Sequence, residues 1–116
     1  MALLRPACIE PHCHYVDIAS VDEVPPGARL LLTVDEWDVV AINIDGQIFV
    51  LEDRCTHEDL PLGEGELEDY ILTCPYHGAR FDVRTGAVVS PPATEPLLTF
   101  PVRVRDGRIA IGLPAG

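Results

Sequence analysis

The sequence predicts an all-β protein, an antiparallel sandwich or barrel, interrupted by an inserted pair of loops that carry its chemistry. Three observations lead there. Short alternating or β-branched runs recur along the chain while helical periodicity is scarce, and tight-turn signals stand between the runs. The third is residues 53–78, where Cys, His, Gly and Pro crowd together between strand-like segments.

The expected strands, in order, are Tyr15–Ile18, Arg29–Val34, Val39–Ile44, Gln47–Leu51, Tyr70–Thr73, Val102–Arg105 and Arg108–Ile111. Asp45-Gly46 and Asp106-Gly107 tolerate the positive φ of a type I′ turn, so each is expected to close a hairpin. Arg84-Thr85-Gly86 is expected to turn the chain between Arg80–Val83 and Ala87–Val89. Trp37 follows Asp35-Glu36 at a turn and is expected to be partial core. At 116 residues, 1–116 makes one domain.

Composition narrows the function. The net charge is −11, and all eight basic residues are arginine. Nucleic acid would repel such a chain; the acidic balance suits docking to basic protein partners or, equally, a merely soluble surface. No apolar run approaches the roughly 20 residues that span a bilayer, and Met1–Pro6 is too short and broken for a signal peptide. The expectation is therefore a cytoplasmic protein without membrane contact. In that setting four cysteines point to metal binding rather than to two disulfides.

The candidate site consists of two boxes, Cys55-Thr56-His57 and Cys74-Pro75-Tyr76-His77-Gly78, with sixteen residues between His57 and Cys74. Thiolate and imidazole suit soft and borderline metals. Each box offers one sulfur and one nitrogen on a short loop. Two irons could each take one of each, or the cysteines could share one iron and the histidines the other. Structural zinc is the competing use of two Cys and two His. Finger-type spacing leaves two to four residues between the first ligands, and Cys55 and His57 have one.

Asp53-Arg54-Cys55-Thr56-His57-Glu58-Asp59 and Cys74-Pro75-Tyr76-His77-Gly78-Ala79-Arg80-Phe81-Asp82 resemble the Rieske ferredoxins of bacterial ring-hydroxylating dioxygenase systems. Arg84-Thr85-Gly86 and Pro91-Pro92 match as well, and the resemblance runs from about Val16 to Leu113. It implies the Rieske fold, a β-sandwich with an inserted cluster-binding subdomain whose loops span about residues 53–80. It also implies one [2Fe–2S] cluster, with Cys55 and Cys74 on the inner iron and His57 and His77 on the outer iron near the surface. Pro91 and Pro92 would cover the cluster. Gly63, Gly65 and Gly78 would allow turns or close approach to it.

Two thiolates and two neutral imidazoles leave an oxidised cluster neutral. Such a cluster accepts an electron more readily than one held by four thiolates. High-potential relatives carry extra cysteines at the positions of Leu60 and Tyr76, and a serine and a tyrosine at those of Ala79 and Phe81. With none of these, the expected potential lies near the low end of the range, about −150 mV. Reduction should raise the pKa of the two imidazoles.

The resemblance makes the chain an electron carrier and not an enzyme. It would take single electrons from a flavoprotein NAD(P)H reductase and deliver them to a terminal oxygenase. Both would dock at the histidine end, which suits a monomeric shuttle. Glu58, Asp59, Glu64 and Glu66 would form an acidic rim there, or simply a solvated face. The alternatives are a Rieske-like small subunit of an assimilatory nitrite reductase and, from another class, a zinc-stabilised interaction module. Cys8, His12, Cys13 and His14 lie outside the resemblance. They are expected to form an exposed strand start or loose tail, with Cys8 and Cys13 open to oxidation.

Overall fold

The computed structural model describes residues 4–56, 60–76, 78–91 and 95–115. The strands are β1 (Arg5–Pro6), β2 (Cys13–Ser20), β3 (Arg29–Val34), β4 (Trp37–Ile44), β5 (Gln47–Glu52), β6 (Glu66–Glu68), β7 (Ile71–Thr73), β8 (Arg80–Asp82), β9 (Val88–Ser90), β10 (Leu98–Phe100), β11 (Val102–Arg105) and β12 (Arg108–Pro114). One 3-10 turn, Val21–Glu23, is capped by Ser20, whose hydroxyl accepts from the Asp22 N–H while Glu23 reaches back to the Ser20 N–H.

These strands form three sheets. A five-stranded sheet has the order β1-β10-β5-β4-β3, and a three-stranded sheet has the order β11-β12-β2. The third, β6-β7-β8-β9, is inserted between β5 and β10. All its pairings are antiparallel. The all-β expectation with an inserted subdomain holds.

β4 explains how the layers stack. Val39–Asn43 are all buried, which gives the unbroken apolar run of a strand covered on both faces. Successive side chains point to opposite faces. Val40 and Ile42 join Leu51, Leu62, Leu72, Phe81 and Leu97 in a core beneath the inserted sheet. Val39 and Ala41 join Val50, Phe100, Ile109, Ile111 and Leu113 in a second core against the three-stranded sheet. Trp37, half-buried at the start of β4, meets Phe100 edge to face at 5.7 Å, which makes it partial core as expected. Asn43, the polar residue in this run, is satisfied. Its amide donates to the Val24 carbonyl at 2.7 Å, and its oxygen accepts from the Gly46 N–H at 2.8 Å.

The Asp-Gly hairpins form as the sequence predicts. Ile44 pairs with Gln47 and Arg105 with Arg108. Both residues of each turn have positive φ: Asp45 54°, Gly46 93°, Asp106 51° and Gly107 75°. Two further turns use aspartate without glycine. Asp35 and Asp69 take the left-handed conformation at 54° and 55°. Asp69 closes the β6–β7 hairpin, so Tyr70 lies in a turn rather than beginning a strand as expected.

At the Arg84-Thr85-Gly86 turn, the Asp82 carboxylate accepts from the Arg84 backbone and guanidinium at 2.8–3.1 Å. The guanidinium lies 4.2 Å from the Tyr70 ring centre. Hydrogen bonding from Arg84 holds the Asp82 carboxyl below the usual carboxylate range. A carboxylate with a depressed folded pKa stabilises the fold above its unfolded pKa, about 3.9. That stabilisation is lost as pH falls through the lower folded value. The wild type is therefore expected to exceed Asp82→Asn in stability at pH 6, with the gap closing from about pH 4 downward. Urea unfolding of both proteins across that range checks it.

One expectation is corrected. Of the two readings of the N-terminal segment the strand start holds and the loose tail does not, and of the four cysteines read as metal-binding two are not, because Cys8 and Cys13 form a disulfide with their Cα atoms 5.3 Å apart. That separation is an ordinary one for a disulfide. The segment also supplies β1, which pairs in parallel with β10. The first sheet strand of any length begins at Cys13, not Tyr15. His12 and His14 are both exposed there.

Candidate metal centre

The first loop, which carries Cys55, runs from the end of β5 to the start of β6, and the second, which carries Cys74, joins β7 to β8. Both emerge from the core between β4, β5 and the inserted sheet. Cys55 and Cys74 stand at their roots, 0% and 1% exposed, and belong to that same core with Ala79, Phe81 and Leu97. Neither forms a disulfide. His57 and His77 lie outside the described residues, as do Glu58, Asp59 and Pro92. Glu64, Glu66 and Pro91 are exposed.

Each loop has a backbone reason for its shape. The Cys55 N–H donates to the Leu60 carbonyl at 2.8 Å, which folds the first loop back on itself. In the second loop the Cys74 N–H donates to the Ala79 carbonyl at 2.7 Å, and the Gly78 N–H donates to the Cys74 carbonyl at 3.1 Å. Gly78 sits at φ 76°, where a side chain is strained.

Charged side chains clamp the first loop at its base. The Asp53 carboxylate accepts from the Leu62 and Gly63 N–H groups at 2.7 and 2.6 Å. From β3, the Arg29 guanidinium donates to the Gly63 and Gly65 carbonyls. Farther out, the Thr56 hydroxyl donates to the Glu95 carbonyl at 2.8 Å, which ties the loop to the segment after β9. The Leu97 N–H in turn donates to the Gly86 carbonyl at 2.8 Å. Sequence reasoning missed Arg29, Asp53 and the role of Thr56. Asp53 and Thr56 stood in the matching motif, but nothing in it showed what they would bind.

Both Asp53 bonds go to one oxygen. Asp53→Ala is therefore expected to lose about 2 kcal/mol, while Asp53→Asn, which keeps an acceptor there, recovers most of it. Urea unfolding with iron retention measured alongside checks both.

The described part of the donor set fits an iron–sulfur group. Two soft ligands approach one apolar core from separate loops, and burial there favours a group whose charge the thiolates cancel. Ala79 and Phe81, both fully buried, present only carbon to this core.

Comparison with known proteins agrees. Residues 14–101 match the model of the Rieske [2Fe–2S] domain. The biphenyl dioxygenase ferredoxin subunit of Pseudomonas sp. strain KKS102 is 43% identical over 95 residues, covering 81% of this chain and 86% of that one. The solved ferredoxin of Sphingomonas yanoikuyae B1 superimposes with a TM-score of 0.80 at 31% identity, covering 87% of this chain and all of that one. A ferredoxin solved in complex with the oxygenase of carbazole 1,9a-dioxygenase gives 0.79 at 29% identity, covering 88% and 95%. The chain belongs to the Rieske [2Fe–2S] family and resembles the ferredoxin subunits of dioxygenases within it.

Proposed function

We propose that this protein is a Rieske ferredoxin that carries single electrons from a flavoprotein NAD(P)H reductase to a terminal ring-hydroxylating oxygenase. The observation that carries the reading is the pair of buried thiols, Cys55 and Cys74, brought from two loops into one core. Cys55 and Cys74 would hold the inner iron, and His57 and His77 the outer one. Bound there, the cluster supplies one reversible electron.

The chain's own residues do the rest. Leu62, Leu72, Phe81 and Leu97 keep water from the cysteine side. Ala79 and Phe81 present no hydroxyl to stabilise added negative charge, which supports a potential near the low end, about −150 mV. The complex solved for the carbazole dioxygenase pair supports docking to an oxygenase. The net charge of −11 favours partners with basic docking faces. The reductase, the monomeric state and a cytoplasmic location complete the proposal. Among the described residues no helix is long and apolar enough to cross a membrane.

Absorbance and electron paramagnetic resonance of anaerobically purified protein, before and after dithionite, test this. The expected result is two irons and two sulfides per chain, with a reduced signal averaging below the free-electron g value. A colourless protein that holds zinc and stays silent after iron–sulfur reconstitution would overturn it in favour of an interaction module.

A further inference from the structure

The family match begins at residue 14, yet the residues before it are built into the fold. Arg5 pairs with Leu98 and Pro6 with Thr99, and the Ala7 N–H donates to the Thr99 carbonyl at 2.6 Å. The Arg5 guanidinium lies 3.4 Å from the Pro96 carbonyl and 3.6 Å from the Glu95 carboxylate. The Glu95 carbonyl is the acceptor that holds Thr56, next to Cys55. A continuous line of contacts thus runs from Arg5 through Glu95 and Thr56 to a cysteine of the metal centre.

The other end of this segment is fixed by the Cys8–Cys13 disulfide, which joins it to the first residue of β2. Cys8 Sγ packs closely over Gly112 of β12: a Cβ added at Gly112 would lie 3.0 Å from that sulfur.

We propose that residues 4–13 are a brace for the cluster-binding loops, with Arg5 as a positioning residue and the Cys8–Cys13 disulfide as its clasp. This rests on the ferredoxin reading for its consequence but not for its geometry. Closed, the clasp holds β1 against β10, and Arg5 keeps Glu95–Pro96 where the Thr56 hydroxyl can reach. A dithiol opens it by giving up two electrons and two protons. The dithiol becomes a disulfide, and Cys8 and Cys13 become two thiols. With the brace released, the first loop opens more often and water reaches the cluster, where it stabilises the added electron. The thiol state of the N-terminal segment would thereby adjust the carrier.

Hydrogen exchange read by mass spectrometry across residues 53–65 and 95–97 tests the brace, with or without a cluster. Exchange there is expected to rise about 5-fold, the effect of a modest local loss of stability, in both Arg5→Ala and Cys8→Ser/Cys13→Ser. Wild type treated with dithiothreitol should match the double variant. Combining the substitutions should add little, because they loosen one brace, and Arg5→Lys should restore most of the protection. In cluster-loaded protein the midpoint potential should move upward in the loosened variants. Unchanged exchange in both variants, or free thiols at Cys8 and Cys13 in air-purified wild type, overturns the brace and leaves the electron carrier standing. A protein that takes up no iron–sulfur cluster overturns the carrier reading, and the exchange data still decide the brace.

Discussion

Cys74→Ala is expected to abolish the metal centre outright. Cys74 is 1% exposed and shares its core with Cys55, so no solvent-borne ligand can take its place without opening that core. An iron left with one thiolate loses charge compensation as well as a bond. Iron and sulfide per chain should fall from two each to near zero, and the visible absorption should vanish. Stability should fall too, because a group bound only by the folded state contributes about 4 kcal/mol when present at a thousand times its Kd. The comparison that gives the result meaning is Cys8→Ser/Cys13→Ser, which leaves both buried thiols in place and should retain both irons. Full iron content and an unchanged spectrum in Cys74→Ala would remove this residue from the ligand set.

The scaffold was legible where local chemistry decides structure. Val39–Ile44 could be read as a strand because a chain covered on both faces needs an unbroken apolar run, and its two cores show why. Asp-Gly could be read as a hairpin because glycine admits positive φ at no cost. Asp35 was legible as a turn from its place between two strand-like runs, whereas Asp69 reaches the same region with an ordinary residue following, and that pattern alone is too common to read. β6 is Glu-Leu-Glu and β10 is Leu-Thr-Phe, three residues each and without the turn signal that framed the equally short β8 and β9. β1 was not legible, and the disulfide was legible only as two thiols open to oxidation. Strand pairing over two residues leaves no sequence signal, and the ordinary prior for a reducing compartment argued against a bridge.

The site divides along the same line. The proposed ligands Cys55, His57, Cys74 and His77 stand out because metal ligands must be particular residue types on short loops. The residues that shape the first loop do not. Arg29 reaches it from 34 and 36 positions away, and Thr56 finds its acceptor 39 positions on. Any exposed arginine or threonine looks the same in a sequence. Only the fold distinguishes these two.

Gly65→Ala is the substitution outside the ligands expected to do most harm, and the reason is space rather than conformation. Gly65 does not have positive φ, so alanine suits the backbone there. Its Cβ, however, would lie far inside van der Waals contact with the Thr73 carbonyl oxygen, and 3.1 Å from the Leu62 carbonyl oxygen. Both obstacles are backbone, so no rotamer change relieves them. The neighbouring Glu66↔Thr73 pair would have to separate, and Thr73 immediately precedes Cys74. The Gly65 carbonyl would leave Arg29, and its N–H would leave the Leu62 carbonyl, 2.9 Å away. Overpacking of this kind costs about 3 kcal/mol or more. Gly78→Ala is the matched control: its φ of 76° is unfavourable, but among the described residues no atom beyond its own chain neighbours lies within 4 Å of the added carbon. The cost there should be about 1–2 kcal/mol, from backbone strain alone. Urea unfolding and iron content separate the two cases. Gly65→Ala should lose both stability and cluster, and Gly78→Ala should keep most of each. A Gly65→Ala protein within about 0.5 kcal/mol of wild type, with both irons bound, would show that β6 and β7 are not held together as closely as this packing requires.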